Sequence, residues 1–440
     1  AAMHPLCQRG RKRRRLMGAG GDRLDRRGFL RVSAAATLSL MQAGTRAAPM
    51  PPPGGKTLHS TGPGRRAPAQ VYKLFLCGDV MTGRGIDQVL PHPGDARIYE
   101  SYIRDARGYV QLAERASGPI GGPVDFAYIW GDALEVLGAA APDARIINLE
   151  TAVTRSDEYW PGKGINYRMH PDNIDCLGAA RIDCCVLANN HVLDWGYSGL
   201  AETLRSLHAA GLKTAGAGRN RQQAEAPAII EVTGKGRVIV FAFGATSSGI
   251  PRAWAATGTR PGINLLGDFS PATLRRIAAQ VAAVKRPGDI AVASIHWGGN
   301  WGYAIPDEHR RFAQRLIDVA GIDVIHGHSS HHPKGVEVYR DKLILYGCGD
   351  FVNDYEGIHG YDEFRGDLAL LYLAAVGARS GHLAGLEMVP LQMRQFRLHH
   401  ASDQDARWLA DTLQREAAAL NTGLQRRDDN VMVLGGPRQP

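Results

Sequence analysis

Several things are scarce in this sequence, and each scarcity removes a class of protein. Past residue 48 no apolar run approaches the roughly 18 residues needed to cross a bilayer, so no transmembrane helix is expected there. Cysteine is sparse. Apart from Cys7 near the start there are five, Cys77, Cys176, Cys184, Cys185 and Cys348. An odd number, with Cys77 and Cys184-Cys185 inside apolar strand-like runs, reads as small buried residues rather than a disulfide framework. Net charge is also absent from most of the chain. The formal +9 is accounted for by residues 1–48, where eleven Lys and Arg face only Asp22 and Asp25. The remainder is formally neutral, which excludes a nucleic-acid-binding reading of the main domain. Internal repeats are absent too.

What is present begins with that basic leader. Asp25-Arg26-Arg27-Gly28-Phe29-Leu30-Arg31 precedes a mildly apolar Val32–Ala43 run and the small residues Ala47-Ala48. The order resembles a twin-arginine export signal, so residues 1–48 are read as a leader, with Met17 an alternative start. Export by that route to the periplasm or cell envelope is the expectation. Residues 49–70 are rich in Pro and Gly and read as a linker. A domain is expected over 71–395. Residues 396–440 should add a helix packed on it, from apolar spacing over Asp403–Leu420, and a fraying tail. At 44% hydrophobic residues, the chain can bury a large core.

Strand and helix patterns alternate along the domain, which predicts an α/β fold with extra antiparallel strands late in the chain. Several buried-type strands end in polar residues suited to chemistry. Val71–Cys77 runs into Asp79, Ala144–Ile147 into Asn148 and Glu150, Asp183–Ala188 into Asn190 and His191, and Asp289–Ile295 into His296. Ligands in α/β folds gather at the carboxyl ends of strands. The densest stretch is Val324-Ile325-His326-Gly327-His328-Ser329-Ser330-His331-His332, read as strand, tight turn at Gly327, and strand. It presents His328 and His331, and neutral imidazole is a good ligand for zinc, manganese or iron. One such residue alone reads equally well as a helix cap or a solvated histidine. Five strand ends together suit two divalent ions with a shared carboxylate. The loop 155–170 carries Lys163 and Arg168, and reads as a substrate-binding segment or as a lid that only packs.

Gly-Asp-Val-Met at 78–81, Asn-Leu-Glu-Thr at 148–151, Leu-Ala-Asn-Asn-His-x-x-Asp-x-Gly at 187–196, His-Trp-Gly at 296–298, Gly-His-x-x-His at 327–331 and Tyr-Gly-Cys-Gly-Asp-Phe at 346–351 resemble the CapA family. These are poly-gamma-glutamate capsule biosynthesis proteins related to calcineurin-like metallophosphoesterases. The resemblance implies a four-layer sandwich of two mixed β-sheets flanked by helices. It implies two divalent ions, Mn, Fe or Zn, with Asp79 and His331 on the first, Glu150 bridging, and Asn190, His296 and His328 on the second. His191 becomes the general acid or phosphate-contacting imidazole, oriented by Asp194. Asn148, Arg84, Lys163, Arg168 and Trp297 are expected at the substrate, an anionic polymer or phosphoester, and membrane partners in capsule synthesis are implied. The sequence departs from the phosphoesterase pattern where Met81 replaces a histidine, where Glu150 replaces the bridging Asp, and where two residues rather than one separate the last histidines. Asp350 replaces the Asn common in the family. Two functions stay open: a metal-dependent envelope hydrolase, on capsule polymer or on an unrelated phosphoester or amide, and a non-hydrolytic component of polymer synthesis or export.

Overall fold

A computed structural model describes residues 70–435 of the chain. The leader and all but the last residue of the linker lie outside the described residues, and so does the twin-arginine reading.

The chain first lays down β1 (Val71–Val80), then β2 (Ala144–Leu149), β3 (Cys184–Val186) and β4 (Lys213–Ala215). These four lie side by side and parallel. Parallel neighbours need long crossovers. Here these carry helices α1 (Gly85–Val89), α2 (Arg107–Ser117), α3 (Ala133–Ala140) and α4 (Gly196–Ala209). A second sheet follows, with β5 (Ala228–Val232), β6 (Gly236–Ala245), β7 (Leu265–Leu266), β8 (Ile290–His296), β9 (Val324–His328), β10 (Val336–Tyr339) and β11 (Lys342–Leu345). Its order is β7-β6-β8-β9-β11-β10, with β5 beside β6. Strands β7, β6, β8, β9 and β11 run parallel, whereas β5 and β10 pair antiparallel. Helices α5 (Pro271–Val284) and α6 (Asp307–Ala320) make its crossovers.

The chain then returns to the first sheet. β12 (Asp350–Val352) pairs parallel with β1, and β13 (Leu368–Gly377) lies antiparallel on it. β14 (Leu383–Arg394) and β15 (Arg397–His400) extend the antiparallel side. After α7 (Asp403–Ala418), where a fraying tail was expected, β16 (Leu424–Arg426) and β17 (Met432–Leu434) pair with each other, and β17 pairs with β14. The exposed edge of β14 gives that short segment partners for its backbone groups.

Alternation along each strand sorts the apolar side chains into three cores. Leu74 and Leu76 of β1 meet Val240, Val292 and Val324 of the second sheet in a core between the sheets, which α7 enters with Leu409 and Leu413. Phe75, Ile147 and Leu187 face the other way, onto Tyr109, Leu137 and Leu200 of the helices. Phe241, Ala293 and Ile295 pack on Leu274, Ile277, Phe312 and Leu316 of α5 and α6. The protein is thus an α/β fold with two mixed sheets and helices. The five cysteines among the described residues are buried free thiols, as the apolar settings of Cys77 and Cys184-Cys185 indicated.

A buried carboxylate–histidine site at the strand ends

The carboxyl ends of β1, β2, β8 and β9 meet across the two sheets. Two glycines let the segment that follows β11 pass close to β1 and β9. A Cβ on Gly78 would lie 1.6 Å from the Gly349 carbonyl oxygen, and one on Gly327 would lie 2.5 Å from that of Tyr346. Gly327 is therefore not the turn residue that the sequence implied. It lies within β9, and the turn follows at Ser329, whose φ is 107°.

Asp79 is the hub. It is fully buried, and it accepts hydrogen bonds from Asn148 Nδ2 at 2.7 Å and from the Ser329 amide at 3.2 Å. Two triads share it, Asp79–His296–His328 and Asp79–His331–Asp350, each with ligand-type atoms within 4.8 Å of one another. In the first, His296 Nδ1 and His328 Nδ1 are 2.8 Å apart, and His328 Nδ1 is 3.8 Å from Asp79 Oδ1. Ligands about 2.1 Å from a common ion lie about 3 Å apart, so such spacings suit a metal as well as a hydrogen bond. In the second, His331 Nδ1 lies 2.9 Å from Asp350 Oδ1.

Asn190 Oδ1 is 2.8 Å from His296 Nε2, which leaves Asn190 at the edge of the first triad. Glu150 lies behind both. Its Oε2 accepts from Asn148 at 3.2 Å, and its Oε1 is 3.8 Å from both His191 Nε2 and His296 Nε2. In this geometry the carboxylate common to both triads is Asp79, the position that the resemblance assigned to Glu150.

Electrostatics fit a cation. Burial, then repulsion from Asp350, pushes the Asp79 carboxyl up to about 7. Burial and Asp79 push Glu150 well above the ordinary carboxylate range. Burial holds His296 and His328 well below the usual imidazole value, so both keep lone pairs at neutral pH. Burial opposes the charge on His331 as well, but the adjacent Asp350 outweighs it and raises that group. Three carboxyls in so small a buried volume repel one another unless positive charge joins them. Carboxylate and neutral imidazole are the donors that zinc, manganese and iron take, so the residues present fit divalent ions.

His191 stands outside both triads. Its Nδ1 lies 2.6 Å from Asp194 Oδ2 and 2.9 Å from Lys163 Nζ, and its Nε2 is on the Glu150 side, 3.8 Å from Oε1. Burial drops its pKa to about 4 despite Asp194, which leaves it neutral at pH 7. Asp194 also takes the Tyr167 amide at 2.7 Å and pairs with Lys163 Nζ at 2.6 Å. Lys163 is thereby brought from the 155–170 loop to the site, although Trp160 of that loop only packs, edge-on against Trp254. Half-buried Asn190 and Trp301 and exposed Asn300 stand beside the site, Asn300 Nδ2 lying 3.0 Å from His331 Nε2 and the Trp301 ring against that of His331.

Three residues expected at the substrate lie elsewhere. Arg84 is buried in ion pairs with Glu100 and Asp354, so its guanidinium has no free edge. Arg168 stacks over Trp195 at 3.8 Å and donates to the Ser156 and Asp95 carbonyls. Trp297, one residue past His296, points to the opposite face of the sheet by strand alternation and stacks on His309. Two residues were missed. Asp350 had been noted only as a departure from a motif, and the signal for it was a third carboxylate at a strand start. Asn189 holds the end of β2 by donating to Asn148 Oδ1 at 3.0 Å and to the Leu149 carbonyl at 2.9 Å.

Fold and site define an α/β protein of two mixed sheets whose parallel strand ends bury a His/Asp cluster with the composition of a metal centre. Residues 73–355 match the family model described as bacterial capsule synthesis protein PGA_cap, and the chain belongs to that family. It is 50% identical over 365 residues to a probable polyglutamine synthesis accessory protein of Mycobacterium tuberculosis, covering 83% of this chain and 96% of that protein. It is 26% identical over 285 residues to the PGA biosynthesis protein CapA of Bacillus subtilis, 64% of each chain. It is 24% identical over 322 residues to the capsule biosynthesis protein CapA of Bacillus anthracis, 73% of this chain and 67% of that one.

Proposed function

We propose that this protein is an exported accessory factor of poly-gamma-glutamate synthesis or export, with a four-layer metallophosphoesterase-type sandwich and a dinuclear metal site that hydrolyses a phosphoester or a polymer amide. The observation that carries the hydrolytic reading is the pair of buried triads sharing Asp79. His296 and His328 would hold one ion with Asp79, and His331 and Asp350 the other. Two divalent ions held by these residues would supply Lewis acidity toward a phosphoryl or carbonyl oxygen and would lower the pKa of water.

The chain's own residues do the rest. His191, fixed by Asp194, presents Nε2 and takes a proton, and it returns that proton to a leaving group, a role worth about 10²–10⁴-fold in rate. Lys163 sets positive charge beside it, suited to an anionic polymer or a phosphate. The membrane-bound capsule machinery is the expected partner, and the twin-arginine leader is the expected route out. No helix among the described residues is long and apolar enough to cross a membrane.

A second reading is a non-hydrolytic component that keeps the fold. Met81 favours it. A buried thioether stands where the phosphoesterase pattern has a histidine, and it accepts only a long contact from the Tyr355 hydroxyl at 3.7 Å. Elemental analysis of the purified protein, followed by assay of a generic phosphodiester and of poly-gamma-glutamate, separates the readings. About two ions per chain with metal-dependent turnover supports hydrolysis. Metal without turnover of either substrate supports the second reading, and absence of metal refutes the dinuclear site.

A further inference from the structure

We infer that a cavity lined by Arg221 and Arg276, with Arg260 on its wall, is a second binding site, separate from the His/Asp cluster, that takes a chain of carboxylates. That the carboxylates belong to an acidic polymer rests on the function proposed above. That the cavity takes an anion rests on its own residues.

The cavity has a volume of about 390 Å³, within the roughly 300–1,000 Å³ usual for ligand sites. Its walls come from the short helix Arg221–Glu225, from the chain between β6 and β7, with Ala255 and Asn264, and from α5, with Arg276. Arg260 Nη2 donates to the Ala255 carbonyl at 3.3 Å. Thr257 joins two of the walls. Its carbonyl accepts from the Arg221 amide at 2.6 Å, and its amide donates to the Arg260 carbonyl at 3.0 Å.

One carboxylate lines the cavity, and it is already engaged. Glu225 accepts from Arg276 Nη1 at 2.8 Å on one oxygen and from Gln280 Nε2 at 3.1 Å on the other. Exposed Arg219, Arg221, Arg252 and Arg260 belong to the same two segments, and none of them is in an ion pair among the described residues. Residues 216–280 hold eight Lys and Arg against Glu225, Glu231 and Asp268, whereas residues 49–440 taken together are formally neutral. Lys235 and Arg237 are paired with Asp143 and Asp289. The surplus positive charge is therefore gathered around this cavity. A guanidinium fork matches a carboxylate in two parallel hydrogen bonds, and a concave wall of one sign concentrates anions.

The setting suits a chain rather than a single anion, because the segment 246–264 also borders the buried site. Ser248 Oγ donates to the His296 carbonyl at 3.2 Å, and Ser247 Oγ accepts from the Gly298 amide at 3.0 Å. Trp254, next to Ala255 of the cavity wall, places its ring 5.8 Å from Lys163 Nζ. One segment thus carries the cavity wall and flanks Lys163, and an acidic chain long enough to reach both gains from two groups of positive charge.

The test is fluorescence anisotropy of a labelled short γ-linked glutamate oligomer on the full chain, at low ionic strength, before and after chelation. Wild type should bind in both states, and added salt should weaken binding. Arg221→Gln and Arg260→Gln should each weaken it about 10-fold. Arg379→Gln, which removes the same charge in the β13–β14 turn, should leave it unchanged. All three side chains are exposed, and thermal unfolding checks that each variant folds. Inorganic phosphate as competitor separates the two sources of negative charge. It should displace the oligomer only at far higher concentration, and displacement at matching concentration makes this a phosphate site and overturns the carboxylate chain. No binding by wild type, no weakening in either cavity variant, equal weakening in Arg379→Gln, or binding lost on chelation also overturns the site. Failure of the hydrolytic reading looks different: no metal or no turnover, with the oligomer still held through Arg221 and Arg260.

Discussion

Asp350 separates the two triads most cleanly. It contributes only to the second, beside His331, so Asp350→Asn should lower the metal content from two ions toward one while the Asp79–His296–His328 group keeps its own. Elemental analysis checks this, and retention of both ions would show that the second ion does not need the carboxylate. His191 makes a contrasting case. His191→Ala should keep both ions and lose about 10²–10⁴-fold in turnover. His328→Ala should lose metal itself. Equal metal loss in the two would place His191 among the ligands.

The same carboxyls give the metal-free protein a pH dependence whose sign follows from their shifts. Above about pH 7.5, the imidazoles lowered by burial are mostly neutral whether the chain is folded or unfolded, and they contribute little slope. Asp79, at about 7 when folded against an ordinary 3.8, and Glu150, raised well above an ordinary 4.5, hold more protons there than the unfolded chain does. Stability falls with rising pH where the folded state binds more protons. His331, also raised on folding, acts in the same direction. The melting temperature of chelator-treated protein should therefore drop between about pH 7.5 and 9, and manganese, which displaces those protons, should flatten or reverse the drop.

At the scale of elements, the junction of β1 with β12 sets the site. Gly78 has no room for a side chain, because a Cβ there would overlap the Gly349 carbonyl that receives the Asp79 amide at 2.9 Å. Gly78→Ala should part β12 from β1 and give insoluble or metal-free protein. Gly138, exposed in α3 with nothing within 4 Å of where a methyl group would stand, is the control. Gly138→Ala should raise stability by about 0.5–1 kcal/mol in urea unfolding. The turn from β1 into α1 is held by Arg84, which is 2% exposed and adopts φ 50°. It bridges Asp354 and Glu100 and covers the Tyr109 ring at 3.8 Å. Removing one partner of a buried pair strands the other charges, so Arg84→Met should cost about 3–5 kcal/mol by the same measurement. A loss confined to turnover, with stability unchanged, would return Arg84 to the substrate role that its sequence position implied.

For the whole molecule, the testable expectation is export. Replacing Arg26 and Arg27 with Lys should retain the protein in the cytoplasm of a host with a working twin-arginine pathway, because the pair is read as an address. Fractionation decides it, and unchanged export of the double variant removes the signal reading.

Much of the domain was legible in the linear chain. Apolar runs marked β1, β2, β3, β8 and β9, because a strand buried on both faces must be continuously apolar. The polar residues ending those runs marked Asp79, Glu150, His191, His296 and His328, because strand ends are where such a fold can leave polar groups together. Pairing across space was not legible. Whether Asp79 or Glu150 is shared, that Asp350 joins His331, that Trp297 and Arg84 turn away, and that His326 Nε2 on β9 comes within 2.6 Å of the Cys77 carbonyl oxygen on β1 all depend on which strands lie side by side and in which register. One residue of register exchanges the faces of a strand, and two sheets must meet before a histidine on one can find a carbonyl on the other. Local sequence determined which residues stand at strand ends, and only the packing of the two sheets decided which of them touch.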